Sequence, residues 1–249
     1  MYEKFQEFFP AIKRLKASDS LTKKDLLADQ FLIEKEQNLS MFYAPHNEYI
    51  NNIAKVVIVG ITPGWSQMKT AYEQLLRGIN SHHTIGQLLK DVKKAASFSG
   101  SMRSNLIQML DECGVHEALK LDSSTSLFND FRHLLHTTSV IKYPVFYKEK
   151  NYTGHQPSIK NNLLLTKYAF DIFPEEINQF QQPTLIVPLG KIVEHVFKVL
   201  LREGKLPEQN FYLFGFPHPS GANGHRKKQL YQHKDLLVSE VLAWKNTLS

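Results

Sequence analysis

Two short stretches hold residues suited to chemistry. The first is Gly60-Ile61-Thr62-Pro63-Gly64-Trp65. Two glycines around a proline of fixed φ make a tight turn whose backbone can approach a ligand closely. The spacing matches neither a phosphate-binding P-loop, which needs Gly-Lys-Ser/Thr, nor a dinucleotide fingerprint, which needs a third glycine. Read alone, it serves equally as a plain strand-to-loop connection. The second stretch is Phe216-Pro217-His218-Pro219-Ser220-Gly221-Ala222-Asn223-Gly224-His225-Arg226. A histidine between two prolines has little backbone freedom, so its imidazole can be held in one orientation. Ser220 and the nearby amides, lying ahead of a helix, suit a phosphate. The alternative is a rigid connector.

Other reactive types exclude more than they suggest. Cys113 is the only cysteine, which rules out an intramolecular disulfide, a cysteine-based zinc site and an iron–sulfur cluster. It reads as a buried thiol at the end of an amphipathic helix, with Gly114 just beyond. Adjacent side chains on a helix point apart and no third ligand is identifiable, so His82-His83 is not read as a metal site. No cofactor is expected. The formal charge of +6 makes a polyanion a natural partner. Two basic clusters sharpen this: His225-Arg226-Lys227-Lys228 with His233-Lys234, and Lys142, Lys148, Lys150, His155 and Lys160 interleaved with Tyr143, Phe146, Tyr147 and Tyr152. Basic residues among aromatics suit phosphate contact and base stacking, although each cluster alone reads equally as solvated surface. No apolar run reaches the roughly 18 residues of a membrane span, and residues 1–7 lack a signal-like apolar region. A cytoplasmic monomer is expected.

The elements that must position these residues follow from the hydropathy pattern. Residues 54–59 form a continuous apolar run ending at Gly60, as suits a strand buried on both faces of a parallel sheet. Further strands are expected at 136–142, 184–189 and 211–214, and helices at 70–76, 192–201 and 227–247. Strands separated by helices imply βαβ units. The fold class is therefore α/β: a three-layer sandwich with a mainly parallel four-stranded sheet flanked by helices. Residues 1–50 read as a mostly helical extension packed on the core of one domain spanning 1–249. In that extension Pro10 breaks or restarts a first helix over 2–16, and Ser20 caps a second running through Leu26, Leu27, Phe31 and Leu32. Residues 143–158 read as a long irregular loop. Ligands bind beyond the carboxyl ends of such strands, and residues 60–64, 139–144, 190–191 and 218–223 all fall there.

The ordered set of motifs resembles the uracil-DNA glycosylase superfamily. Gly60-Ile61-Thr62-Pro63-Gly64 is similar to the Gly-x-Asn-Pro-Gly first motif of its mismatch-specific and single-strand-selective branches. His218-Pro219-Ser220 matches the second motif of most branches. Ser97-Phe98-Ser99-Gly100-Ser101-Met102-Arg103 resembles the Pro-Phe-x-Gly-Arg segment of the thermophile-type branch, without that branch's iron–sulfur cysteines. Thr138-Ser139-Val140-Ile141-Lys142 resembles its Thr-Asn-x-x-Lys strand, and Leu189-Gly190-Lys191 its Leu-Gly-Lys turn. The resemblance covers residues 54–245.

That resemblance implies a monofunctional glycosylase that hydrolyses the bond between deoxyribose and uracil, or another altered base, flipped from single- or double-stranded DNA. Negative charge develops on the departing base, and a hydrogen-bond donor aimed at it stabilises the transition state; His218, as a neutral imidazole, takes that role. Thr62 stands where the family positions water. Gly60, Ile61, Gly64 and Trp65 would surround the base, Phe98 would stack on it and Ser139 would face its polar edge. Gly190, Lys191, Ser220, Asn223 and Arg226 would grip phosphates, and residues 222–225 would fill the gap in the base stack. On the residues alone, Phe98 reads equally as core, Ser139 as a strand residue and Lys191 as a solvated side chain. No lysine is placed for a Schiff base, so no strand-cleaving step is expected. Thr62 departs from the Asn or Asp of many branches, and Ser139 from an Asn. Both departures admit a DNA-binding protein without catalysis, and the second also admits a pocket for a bulkier modified base. An enzyme acting on free nucleosides or nucleotides is a third reading.

Overall fold

Val56, Val57, Ile58 and Val59 are all fully buried, as an unbroken apolar run requires when both faces of a strand are covered. The computed structural model describes residues 2–15, 20–81, 84–98 and 100–248; the His82-His83 pair and Ser99 lie outside them. In chain order the strands are β1 (Leu32–Glu36), β2 (Leu39–Phe42), β3 (Val56–Gly60), β4 (Leu135–Ser139), β5 (Val145–Tyr147), β6 (Lys150–Asn151), β7 (Leu185–Pro188) and β8 (Phe211–Tyr212). The chain gathers into two compact units. One comprises Asn51–Ile61, Phe98–Val140 and Lys167–Ser249; the other comprises Met1–Ile50, Thr62–Ser97 and Ile141–Thr166.

The first unit is built on a wholly parallel sheet in the order β4-β3-β7-β8. Side chains alternate across a strand. Val56, Ile58, Leu185 and Val187 thus join one core with Leu106, Met109 and Leu110 of helix Gly100–Glu112 and with Leu230, Leu237, Val241 and Trp244 of helix Arg226–Lys245. Helix Lys191–Arg202 buries Val193, Val196, Phe197 and Leu200, and Phe197 packs edge-on against Phe173 and tilted against Tyr212. The result is the expected α/β fold, a parallel four-stranded sheet with helices packed on it. Cys113 is fully buried, and burial raises its thiol pKa to about 12. Gly114 takes φ +78° after the helix end, as its position beyond the last turn requires.

Strand ends differ from expectation. β4 stops at Ser139 instead of 142, and β7 and β8 are each shorter than the apolar runs that mark them. Helix 65–78 is longer than expected, and helix 226–245 begins one residue earlier and ends two residues earlier than expected. Periodicity locates an element, but ladder partners decide where it ends.

The second unit holds the larger corrections. Its sheet, β1-β2-β5-β6, is antiparallel throughout. The second N-terminal helix does not form. Thr22, not Ser20, precedes a four-residue helix, its N–H and hydroxyl both meeting Asp25 Oδ2 at 2.8 and 2.6 Å. The chain then turns through Asp29–Phe31 into β1, and a two-residue turn at Gln37-Asn38, with Gln37 at φ +52°, returns it as β2. Apolar residues at 26, 27, 31 and 32 fit one helix or two short elements equally, and strand pairing selects the second. Pro10 lies inside helix Glu3–Lys13; burial of Phe5, Phe8, Ala11 and Ile12 holds the helix despite the missing donor. Residues 143–158 are not a loop throughout but carry the β5–β6 hairpin, turned by Lys148 and Glu149 at φ +47° and +62°.

No helix among the described residues is long and apolar enough to cross a membrane.

Candidate functional site

The residues of the expected site divide between the two units, each described here within its own. In the first unit, β3 and β4 end side by side, with Gly60 paired to Ser139. A Cβ added at Gly60 would stand 3.7 Å from Ser139 Oγ, in ordinary van der Waals contact with it. Ser139 is 8% exposed. Gly190 follows β7 and acts as N-cap of helix Lys191–Arg202, which leaves Lys191 exposed at the first helical position.

The His218 loop is fixed by close packing and hydrogen bonds. Gly190 takes φ +84°, its N–H donates to Phe216 O at 3.0 Å, and a Cβ there would lie 3.2 Å from His218 Cβ. Only glycine accepts both that backbone conformation and that approach. The Ser220 N–H donates to His218 Nδ1 at 3.2 Å. An accepting Nδ1 places the proton of a neutral imidazole on Nε2. Burial lowers the His218 pKa, so the neutral form persists below the pH at which a free imidazole charges. His218 is therefore built as a one-proton donor.

Around it runs a brace that the sequence did not reveal. Asn105, on helix Gly100–Glu112, donates to Pro219 O at 2.9 Å, and its Oδ1 accepts from Arg226 at 3.2 Å. Arg226 also donates to Asn223 O at 3.3 Å. The Asn223 amide donates to His218 O at 3.1 Å and to Gln229 Oε1 at 2.9 Å. Ser220 Oγ accepts from Ala222 N at 3.2 Å. Asn223 and Arg226, read as phosphate ligands, here hold the loop that carries His218. The tip is open: Gly221, Ala222, Gly224 and His225 are exposed.

Phe98 sits at 7% exposure among the core residues around Leu106 and Phe128, with φ +45°. A left-handed conformation costs a non-glycine residue roughly 1–3 kcal/mol and tends to occur where position matters.

In the second unit, the Thr62 turn is tied to the start of the β5–β6 hairpin. Thr62 Oγ1 donates to Tyr143 O at 2.8 Å and accepts from Val145 N at 3.2 Å. A hydroxyl has one donor and two acceptor positions, so one lone pair is left. Trp65, at the first position of helix Trp65–Gly78, donates its N–H to Asn151 Oδ1 at 3.0 Å. Asn151 Nδ2 would lie 3.4 Å from a Cβ at Gly64. Asn151, unremarked in the sequence, thus borders the turn through a contact that only strand pairing creates.

The two basic clusters part company. Tyr143, Phe146 and Tyr152 are 4%, 2% and 4% exposed, and Lys142 pairs with Glu48 at 3.3 Å. Those three aromatics belong to the core and offer no stacking face, which corrects the sequence reading for them. Tyr147 is half-buried, with Lys148 Nζ 5.5 Å from its ring centroid. In the other cluster Lys227 and Lys228 are exposed.

A family model described as the uracil DNA glycosylase superfamily matches residues 48–242. An uncharacterized protein, YoxB, of Bacillus subtilis (strain 168) is 52% identical over 223 residues, covering 89% of this chain and 86% of its own length. No solved structure matches.

Proposed function

The chain belongs to the uracil DNA glycosylase superfamily, and from that premise we propose that it is a monofunctional DNA glycosylase. It hydrolyses the N-glycosidic bond of uracil or another altered base turned out of the DNA stack. The observation that carries the reading is His218. Its Nδ1 is occupied by the Ser220 N–H, its pKa is lowered by burial, and its Cβ packs against a glycine at φ +84°.

The chemistry follows from where charge appears. As the bond to C1′ lengthens, the sugar becomes positive and the base negative. A neutral Nε2–H aimed at a base oxygen gains strength as that oxygen gains charge, while an imidazolium would cost desolvation in a buried site. Thr62, with one lone pair remaining, serves to orient water and not to deprotonate it. An oxocarbenium-like transition state asks little of its nucleophile, so orientation is sufficient. Ser139 and Gly60 present a small side chain and none at the strand ends, a combination that suits a base bulkier than uracil as well as uracil itself. Ser220 and Lys191 serve phosphates, with Asn223 and Arg226 holding the loop that presents Ser220.

The test is base release. Purified protein is incubated with single- and double-stranded oligonucleotides containing uracil, hypoxanthine, xanthine or a hydroxymethylated pyrimidine, and alkali then reveals abasic sites as breaks. Release from at least one substrate, abolished in His218→Ala, is the expected result. Absence of release from every substrate, with DNA binding retained, would instead support a non-catalytic DNA-binding protein, the reading favoured by the engagement of the Thr62 hydroxyl with Tyr143 and Val145.

A further inference from the structure

Helix Arg226–Lys245 leads directly out of the His218 loop and turns Leu230, Leu237, Val241 and Trp244 into the core. The flank of the helix beside that buried face is open to solvent. Tyr231 stands on it at 81% exposure. Lys227 and Lys228 lie four and three residues before Tyr231, hence on the same face one turn away, and both are exposed. No acidic residue interrupts the helix before Asp235. A free aromatic ring flanked by two unobstructed ammonium groups is the pairing that stacks a base and neutralises its neighbouring phosphates. In the other basic cluster Tyr143, Phe146 and Tyr152 are buried, and Tyr147 is half-buried with Lys148 Nζ already 5.5 Å from its ring centroid.

We infer that Lys227, Lys228 and Tyr231 form a seat for an unpaired stretch of DNA strand, flanking the nucleotide on which the enzyme acts. This rests on the DNA-glycosylase reading and adds a preference for single strands. Within a duplex the faces of each base are covered by neighbouring bases, so a stacking ring gains nothing there. An unpaired base has a face to offer. Asp235, one turn further on, closes the seat by repelling the next phosphate.

The experiment is fluorescence anisotropy with labelled, undamaged oligothymidine of about 16 nucleotides, set against a duplex of the same length. Tyr231→Ala should weaken single-strand binding about fivefold or more, the lower end of what one stacked base supplies. Tyr231→Phe should restore it, and duplex binding should change little in either variant. The pair Lys227→Ala and Lys228→Ala should reduce the slope of log K against log salt by about 1.4 on single strands, from ~0.7 for each phosphate contact. Unchanged melting temperatures are expected, since Tyr231 has little packing to lose. Single-strand affinity indifferent to Tyr231→Ala, or equal losses on duplex and single strand, would overturn the seat. If no oligonucleotide loses a base but binding still depends on the Tyr231 ring, the glycosylase reading fails and the seat stands. Base release with ring-independent binding removes the seat alone.

Discussion

The His218 loop and the Thr62 turn differ in what their hydrogen bonds leave over. Around His218, the amides of Asn105 and Asn223 and the guanidinium of Arg226 engage backbone carbonyls and one another, and the imidazole keeps its Nε2–H for a ligand. At the Thr62 turn the chemically useful hydroxyl is itself the fastener, donating to Tyr143 O and accepting from Val145 N. One region is a rigid mount for a donor. The other is a latch with one lone pair to offer. On the proposed glycosylase reading, the contrast puts the weight on stabilisation of the leaving base and not on activation of water.

The largest expected effect tests that imbalance directly. His218→Ala should reduce the rate of base release by roughly 10²–10³, the usual loss for one such donor, with DNA affinity nearly unchanged. The accompanying pH profile has a defined sign. Burial lowers the His218 pKa, so the neutral donor survives as pH falls through 6.5, and single-turnover activity should decline only in more acidic solution. A rate that halves at pH 6.5 or above would contradict the neutral-donor assignment.

Gly190→Ala comes next. It forces a left-handed alanine, costing about 1 kcal/mol, and sets a methyl group 3.2 Å from His218 Cβ. A displaced imidazole should lower kcat about tenfold or more while KM changes little. Unaltered kcat would mean that the loop tolerates displacement and is no rigid mount.

Thr62→Val sharpens the other side. It leaves Tyr143 O and Val145 N without their partner, at about 1–3 kcal/mol for each group. The melting temperature should drop by several degrees, and Thr62→Ser should recover it. Because Thr62 is assigned only orientation of water, Thr62→Ser should also keep most of the rate. A loss on the scale of His218→Ala would transfer the chemical emphasis to this turn.

The smallest effect is at Asn105. Asn105→Ala removes the bonds to Pro219 and Arg226, worth about 1 kcal/mol, and should slow kcat a few-fold without shifting the acid limb of the pH profile. A shifted limb would show that Asn105 tunes the imidazole's pKa as well as its place.

Legibility in the sequence varied with the kind of interaction involved. The parallel strands were readable because residues covered on both faces must be apolar in succession, as at Val56, Val57, Ile58 and Val59. The antiparallel sheet was not. Leu32–Glu36 carries charges on an exposed strand, and its identity rests on pairing with Leu39–Phe42 across a turn at Gln37. The motif residues were visible as types, but Asn105, Gln229 and Asn151 were not. A polar side chain on a helix or strand has no pattern that announces a carbonyl partner elsewhere.

By itself, then, the sequence determined what is local: the stiffness of a histidine set between prolines, the glycine beyond a helix end at 114, the buried parallel strands and the excess of positive charge. Tertiary structure decided which groups remain unengaged. Asn105 meets Pro219 from 114 residues away, and Thr62 meets Tyr143 from 81; the same folding buries Tyr143 and exposes Tyr231. A hydrogen-bonding group or an aromatic face is useful to a ligand only if the fold has not already satisfied it, and that depends on neighbours distant in the chain.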